Sequence, residues 1–309
     1  MTATGLAWPE LAERRTRPRR INLGRLAAWA VLIAIVAVTL FPFYWALRTG
    51  LSNNRSLPSD VASPLPVDPT VGAFRRVLGM ATTVEAQAEG GSGSSLNFWL
   101  FLRNSVIFAT IVTAGQVLFS SLAAYAFARL RWPGRDTVFF IFLIGLMVPP
   151  IFIVLPNFVL VRDLGLLNTF PGLVAPFVLM NPFAIFFLRQ FFLSISSEIE
   201  EAAVLDGASH FTIYWRIMMP IIRPATVTLA VLVYIAAWNE YLWPLLVGPK
   251  EDVRVLTVAL GIFRAQTPQL SPDWAGLMAA TLISALPIIV LFAAVGRKLV
   301  DSIQFTGLR

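Results

Sequence analysis

The chain has 309 residues, of which 57% are hydrophobic and only 13% charged, with a mean hydropathy of +0.73. That balance excludes an ordinary soluble domain and points to an all-α integral membrane protein with several spans. No cysteine is present and His210 is the single histidine, so a disulfide framework, thiol catalysis and Cys- or His-based metal sites are excluded; the net charge of +7 sits on loops that flank apolar runs, which argues for membrane topology and against a nucleic-acid partner.

Residues 1–25 carry Arg14, Arg15, Arg17, Arg19, Arg20 and Arg25 against Glu10 and Glu13, and read as a disordered cytoplasmic tail. The 22 uncharged residues at 26–47 are too long for the apolar core of a signal peptide and lack a small-residue cleavage site; they suffice to cross about 30 Å of hydrocarbon. Residues 48–97, rich in Pro and Gly, form an external loop in which FRRVLGM is expected as a short helix on the surface. The GGSGSS run at 90–95 reads as a flexible linker, because no strand precedes it and no GK[ST] follows as a phosphate loop would need.

A second span is expected over 104–128, closed by a loop whose Arg129, Arg131 and Arg135 place it on the cytoplasmic side. The third, 137–161, contains Pro149, Pro150 and Pro156. Prolines within a span leave carbonyls unpaired, so this helix belongs where neighbours or a wet cavity satisfy them. The fourth span, 173–192, has Pro176 and Pro182 inside it; the fifth follows a cytoplasmic loop at 194–222 and covers 224–246; the sixth, 274–296, is kinked at Pro287. The segment 247–273 is external and Pro-containing, and residues 297–309 return to the cytoplasm as a tail. The chain thus reads as a six-span membrane domain over 26–296 with both termini inside.

The most polar passage between spans is residues 196–225. Ser197 followed by Glu200 has the spacing of a capping box, and Glu198, Glu200 and Glu201 load the first turn of a helix with favourable charge. Gly207 sits where a left-handed cap is expected, Ser209 can open a second short helix, and Pro220 stops it. Two short helices at an angle make a knob.

These residues resemble a known family, the integral membrane permeases of binding-protein-dependent ABC importers, in particular the maltose-type carbohydrate branch. The family's cytoplasmic signature is Glu-Ala-Ala, three residues, Gly, nine residues, Ile, any residue, Leu-Pro. Here it reads Glu201, Ala202, Ala203, Gly207, Ile217 and Pro220, with Met219 in the place of Leu. The resemblance implies a type I permease whose knob is a coupling helix seated in a separate ATPase. Its implied partners are a second permease, two cytoplasmic ATPase subunits, an extracellular solute-binding protein docking near 249–274, the sugar and the surrounding lipid. ATP and Mg would be bound by the ATPase and no cofactor by this chain. On this reading Glu201 supplies charge-assisted contacts to the ATPase, Ala202 and Ala203 allow close approach, and Gly207 sets the bend.

The sequence contains no Walker A motif, HExxH, GxSxG or flanked acidic pair, so the chain is expected to be non-catalytic. Glu240 is the one acidic residue within a predicted span, and an intramembrane acid is a candidate for function. Trp238, Asn239 and Trp243 beside it offer stacking faces and hydrogen bonds to a sugar, or anchor the helix at the interface as structure. A self-sufficient secondary transporter or channel is the competing reading; an intramembrane enzyme lacks a nucleophile and base pair.

Overall fold

The computed structural model describes residues 23–91, 96–266 and 272–304. Among these the regular structure is helical, apart from one isolated antiparallel bridge between Ser52 and Pro69. The expected N-terminal tail up to residue 22, the Ser/Gly part of the linker at 92–95 and the last five residues lie outside the described residues.

Helix α1 (Leu23–Gly50) is long and apolar enough to cross a membrane, and its large side chains from Leu26 to Phe43 are exposed. Chain contacts place everything through Trp45 in one unit and the rest of the chain in a second. The second unit is built on α4 (Phe98–Arg129), 32 residues with no break. Ala109, Gly115, Ser120, Ser121, Ala124 and Ala128 line it, and such small residues let neighbouring backbones approach closely in a membrane, where packing rather than the hydrophobic effect drives association. Against α4 lie α8 (Pro182–Leu193) and α12 (Arg223–Trp238), and α15 (Trp274–Gln304) packs on α12.

Three of the expected spans are broken. The third is α5 (Arg135–Gly145) and α6 (Pro150–Asp163), bent by 98° at residues 146–149. The fourth is α7 (Phe170–Val174), an irregular turn over 175–181 and then α8. The fifth is α12 and α13 (Leu242–Val247), separated at 239–241. Proline explains the first two, since Pro150 and Pro182 lack N–H groups and are accommodated in the first turn of the helix that follows.

The loop at 48–97, expected to be external, is more folded than its composition suggests. It contains α2 (Gly72–Val77) and α3 (Thr83–Ala88), and α2 packs on α15 with Ala73 and Val77 buried, so the expected surface helix is covered on one face. Gly90 sits in a left-handed turn against the Arg55 backbone, which makes the start of the expected linker part of the fold. Arg48 at the end of α1 donates to the carbonyls of Asp60, Ser63 and Leu65 at 2.8, 3.0 and 3.2 Å, and Arg76 pairs with both Glu89 and Asp273.

The segment 247–273 also departs from the solvated loop expected of it. It contains α14 (Leu256–Gln266), with Leu256, Val258, Ala259 and Phe263 buried. Asn104 holds its entry by donating to the Asp252 and Arg254 carbonyls, while Ser105 Oγ accepts from Leu256 N at 2.7 Å. Residues 267–271 lie outside the described residues. Helix α15 continues past Gly296 to Gln304, so the start of the expected tail is helical.

Candidate functional site

The knob begins with α9 (Ser197–Leu205). Ser196, not Ser197, is its N-cap, accepting from Glu198 N at 3.3 Å, so the expected capping box is one residue out of register. Glu200 is thereby released for a longer-range task. Its carboxylate accepts a hydrogen bond from Tyr125 Oη at 2.8 Å and pairs with Arg129 at 3.8 Å, both on α4. Arg129 also donates to the Phe192 and Ile195 carbonyls at the end of α8. The side chains of Arg129 and Glu200 are 9% and 14% exposed, so this pair is largely shielded from water and ties three elements together.

The far end of α9 closes as expected. Gly207 has φ +82°, Gly207 N donates to Val204 O and Ala208 N to Ala203 O, both at 2.9 Å, which is the Schellman pattern. Ser209 Oγ then caps α10 (His210–Ile213) by accepting from Thr212 N. A π turn over Tyr214–Met218 follows, and α11 (Met219–Ile221) ends the knob. Pro220 offers no N–H to the Arg216 carbonyl, and the widened turn, in which Met219 N bonds Tyr214 O, accommodates that loss. Tyr214 shares a 2.6 Å hydrogen bond with Ser121 and its ring lies 5.4 Å from that of Tyr125.

The six signature residues divide between two faces. Ala203 is buried in the core beneath the knob and Ile217 is half-buried against it, whereas Glu201, Ala202, Gly207 and Pro220 are exposed. The expectation that both alanines serve close approach to a partner is corrected: Ala203 packs inward, and only Ala202 faces out. Around the exposed set, Val204, Leu205, Phe211 and Trp215 leave large apolar side chains uncovered, Leu205 to 89%.

The expected pathway residues fare differently. Trp238 is buried and stacks on Tyr234, and Trp243 is 2% exposed, donates from Nε1 to Leu173 O at 3.1 Å and meets Phe177 edge-on. Both are core residues, so the stacking faces expected of them are used inside the fold. Asn239 is exposed and donates back to Ile235 O. Glu240 alone lines a cavity, of 530 Å³, which also touches Pro150 and Asn181 and so collects all three helix breaks. Its Oε1 accepts from Trp243 N at 3.2 Å, closing the start of α13. Gln116 of α4 lines the same cavity. Sequence reasoning missed Gln116 and Asn181, although an amide at the middle of the uncharged run at 104–128 was a readable signal.

A comparison with protein families matches residues 116–304 to the family described as the binding-protein-dependent transport system inner membrane component. The chain belongs to this family. The permease is 31% identical over 282 residues to the trehalose/maltose transport system permease protein MalG of Thermococcus litoralis, spanning 91% of this chain and 94% of that one. It is also 31% identical over 271 residues to the sn-glycerol-3-phosphate transport system permease protein UgpE of Salmonella typhi, spanning 87% and 92%. Among solved structures, the permease is similar to a chain of a bacterial ABC transporter involved in the import of the acidic polysaccharide alginate, with a TM-score of 0.74, 26% identity, and coverage of 91% of this chain and 99% of that one. The permease therefore has the type I importer fold, and its knob and broken helices both fall within the matched region.

Proposed function

We propose that this permease is one half of the membrane pathway of an ATP-driven sugar importer. It pairs with a second permease, receives solute from an extracellular binding protein, and is driven by two ATPase subunits docked on the knob, with both termini in the cytoplasm. The relatives' names span trehalose/maltose, a phosphate ester and an acidic polysaccharide. A di- or oligosaccharide is the class assigned here, in keeping with the trehalose/maltose relative.

The observation that carries this reading is the fastening of the knob. ATP can drive a conformational change only through a body whose interactions differ between states and which moves with the spans. Glu200 joined to Tyr125 and Arg129 supplies that rigid link, while Glu201, Ala202, Leu205 and Phe211 remain free to meet a partner. In the assembled importer, Glu201→Ala and Gly207→Val are expected to insert normally yet lose ATP-dependent uptake. Uptake at the wild-type rate by both variants would defeat the proposal. The chain alone in liposomes should move no sugar, in contrast to a self-sufficient transporter.

A further inference from the structure

The cavity at the three breaks combines apolar walls with a small polar set. Phe108, Val112, Phe177 and Leu232 contribute to the walls, and Gln116, Asn181 and Glu240 are the polar side chains among the lining residues. Gln116 lines the cavity, is 7% exposed and makes no hydrogen bond among the described residues, so its amide is withdrawn from bulk water without a partner in the fold. Asn181 Oδ1 is held by Phe183 N and Ala184 N at 2.9 and 3.3 Å, which fixes the amide and leaves its Nδ2 donors for a guest. Glu240 spends Oε1 on Trp243 N, and Oε2 has no hydrogen bond or ion pair among the described residues. No cationic side chain lines the cavity.

We propose that this cavity is a transport-path subsite for an uncharged, hydroxyl-rich solute, with Gln116 and Asn181 donating to its hydroxyls and Glu240 accepting from them. Hydroxyls both donate and accept, which matches a mixed set of amides and one carboxylate. The apolar walls suit the C–H faces of a sugar ring. An anion such as a phosphate ester or a uronate meets the Glu240 charge with no cation to offset it, and the first-turn N–H groups of α8 that could hold it are already closed by Asn181. The subsite rests on the importer reading and narrows its substrate class to neutral sugars.

Because the chain has no cysteine, Gln116→Cys places a unique thiol in the cavity. In the full chain in lipid nanodiscs, the neutral methyl and cationic trimethylammonium-ethyl methanethiosulfonates are expected to label it about tenfold faster than the anionic sulfonatoethyl reagent, each rate normalised to a free thiol. Adding Glu240→Gln should erase most of that difference. A mixture of neutral di- and trisaccharides should slow labelling, and glucuronate at equal concentration should not. Ala236→Cys, on the exposed rim of the same cavity, serves if the first variant fails to fold. Equal rates for the anionic reagent, discrimination that survives Glu240→Gln, absence of protection by the saccharides, or equal protection by glucuronate overturns the subsite. Labelling needs no ATPase, so failure of the wild-type importer to take up sugar would count against the importer reading separately.

Discussion

At the residue scale, Glu200 and Glu201 are neighbours with opposite consequences. Glu200 is shielded and bonded to α4, so Glu200→Ala leaves Arg129 as an uncompensated, mostly buried charge and is expected to cost roughly 3 kcal/mol, read as a fall in the thermal midpoint in detergent. Glu201 is exposed, and its removal should change stability by less than about 0.5 kcal/mol while abolishing uptake. A large stability loss at Glu201 would mean the two roles are reversed. Two glycines are needed for different reasons. Gly207 occupies φ +82° with open space around it, so Gly207→Ala is strained by backbone alone, at about 1 kcal/mol. At Gly115 a Cβ would lie 2.2 Å from Val178 O, so Gly115→Ala forces α4 away from the turn before α8 and should enlarge the cavity mouth.

At the scale of elements, the helix starts determine what the breaks do. Asn181 satisfies the first N–H groups of α8 with its own side chain, so Asn181→Ala should cost about 1 kcal/mol through the lost cap, a smaller effect than at Glu200. In the loop between α1 and α4, Thr82 and Glu85 form a reciprocal capping box at α3. The bonds from the Thr82 backbone and hydroxyl hold the Glu85 carboxyl below its ordinary 4.5. With the folded value depressed, the contribution of Glu85 is fully present above 4.5 and is lost as pH falls through the lower folded value. The protection factor of the Thr82 amide, which donates to the Glu85 carboxylate, should therefore fall at acid pH before those of α2 or α4 do, and a flat profile would mean the box does not close in solution. The capping-box spacing was read in the sequence only at Ser197 and Glu200, but there a partner distant in sequence took the glutamate. A spacing reports which bonds are available to a residue locally; competition from α4 decides which bond forms.

At the scale of the whole molecule, the buried Arg76 guanidinium bridges Glu89 at 3.1 Å and Asp273 at 2.9 Å, stitching the loop between α1 and α4 to the start of α15. Asp273 also accepts from Gly276 N at 2.8 Å, so one carboxylate caps the last span and anchors the loop. Arg76→Met should cost roughly 3 kcal/mol by removing the ion pair to the buried Asp273 carboxylate, and the double variant with Asp273→Asn should recover part of that loss, as a thermal-unfolding cycle would register.

The membrane class, the Schellman turn at Gly207 and the cap at Ser209 were determined by the sequence alone, because each follows from composition or from bonds between residues a few positions apart; the stop expected at Pro220 was not, since the chain stays helical through Ile221. Only the tertiary structure decided that Trp238 and Trp243 are core rather than binding faces, that Ala203 turns inward, that Val253, Leu256, Val258 and Phe263 pack into the interior, and that Gln116, Asn181 and Glu240 share one cavity. An apolar pattern in a membrane protein marks burial in lipid and burial in protein alike, so which face of a span meets another helix is settled only when the helices pack.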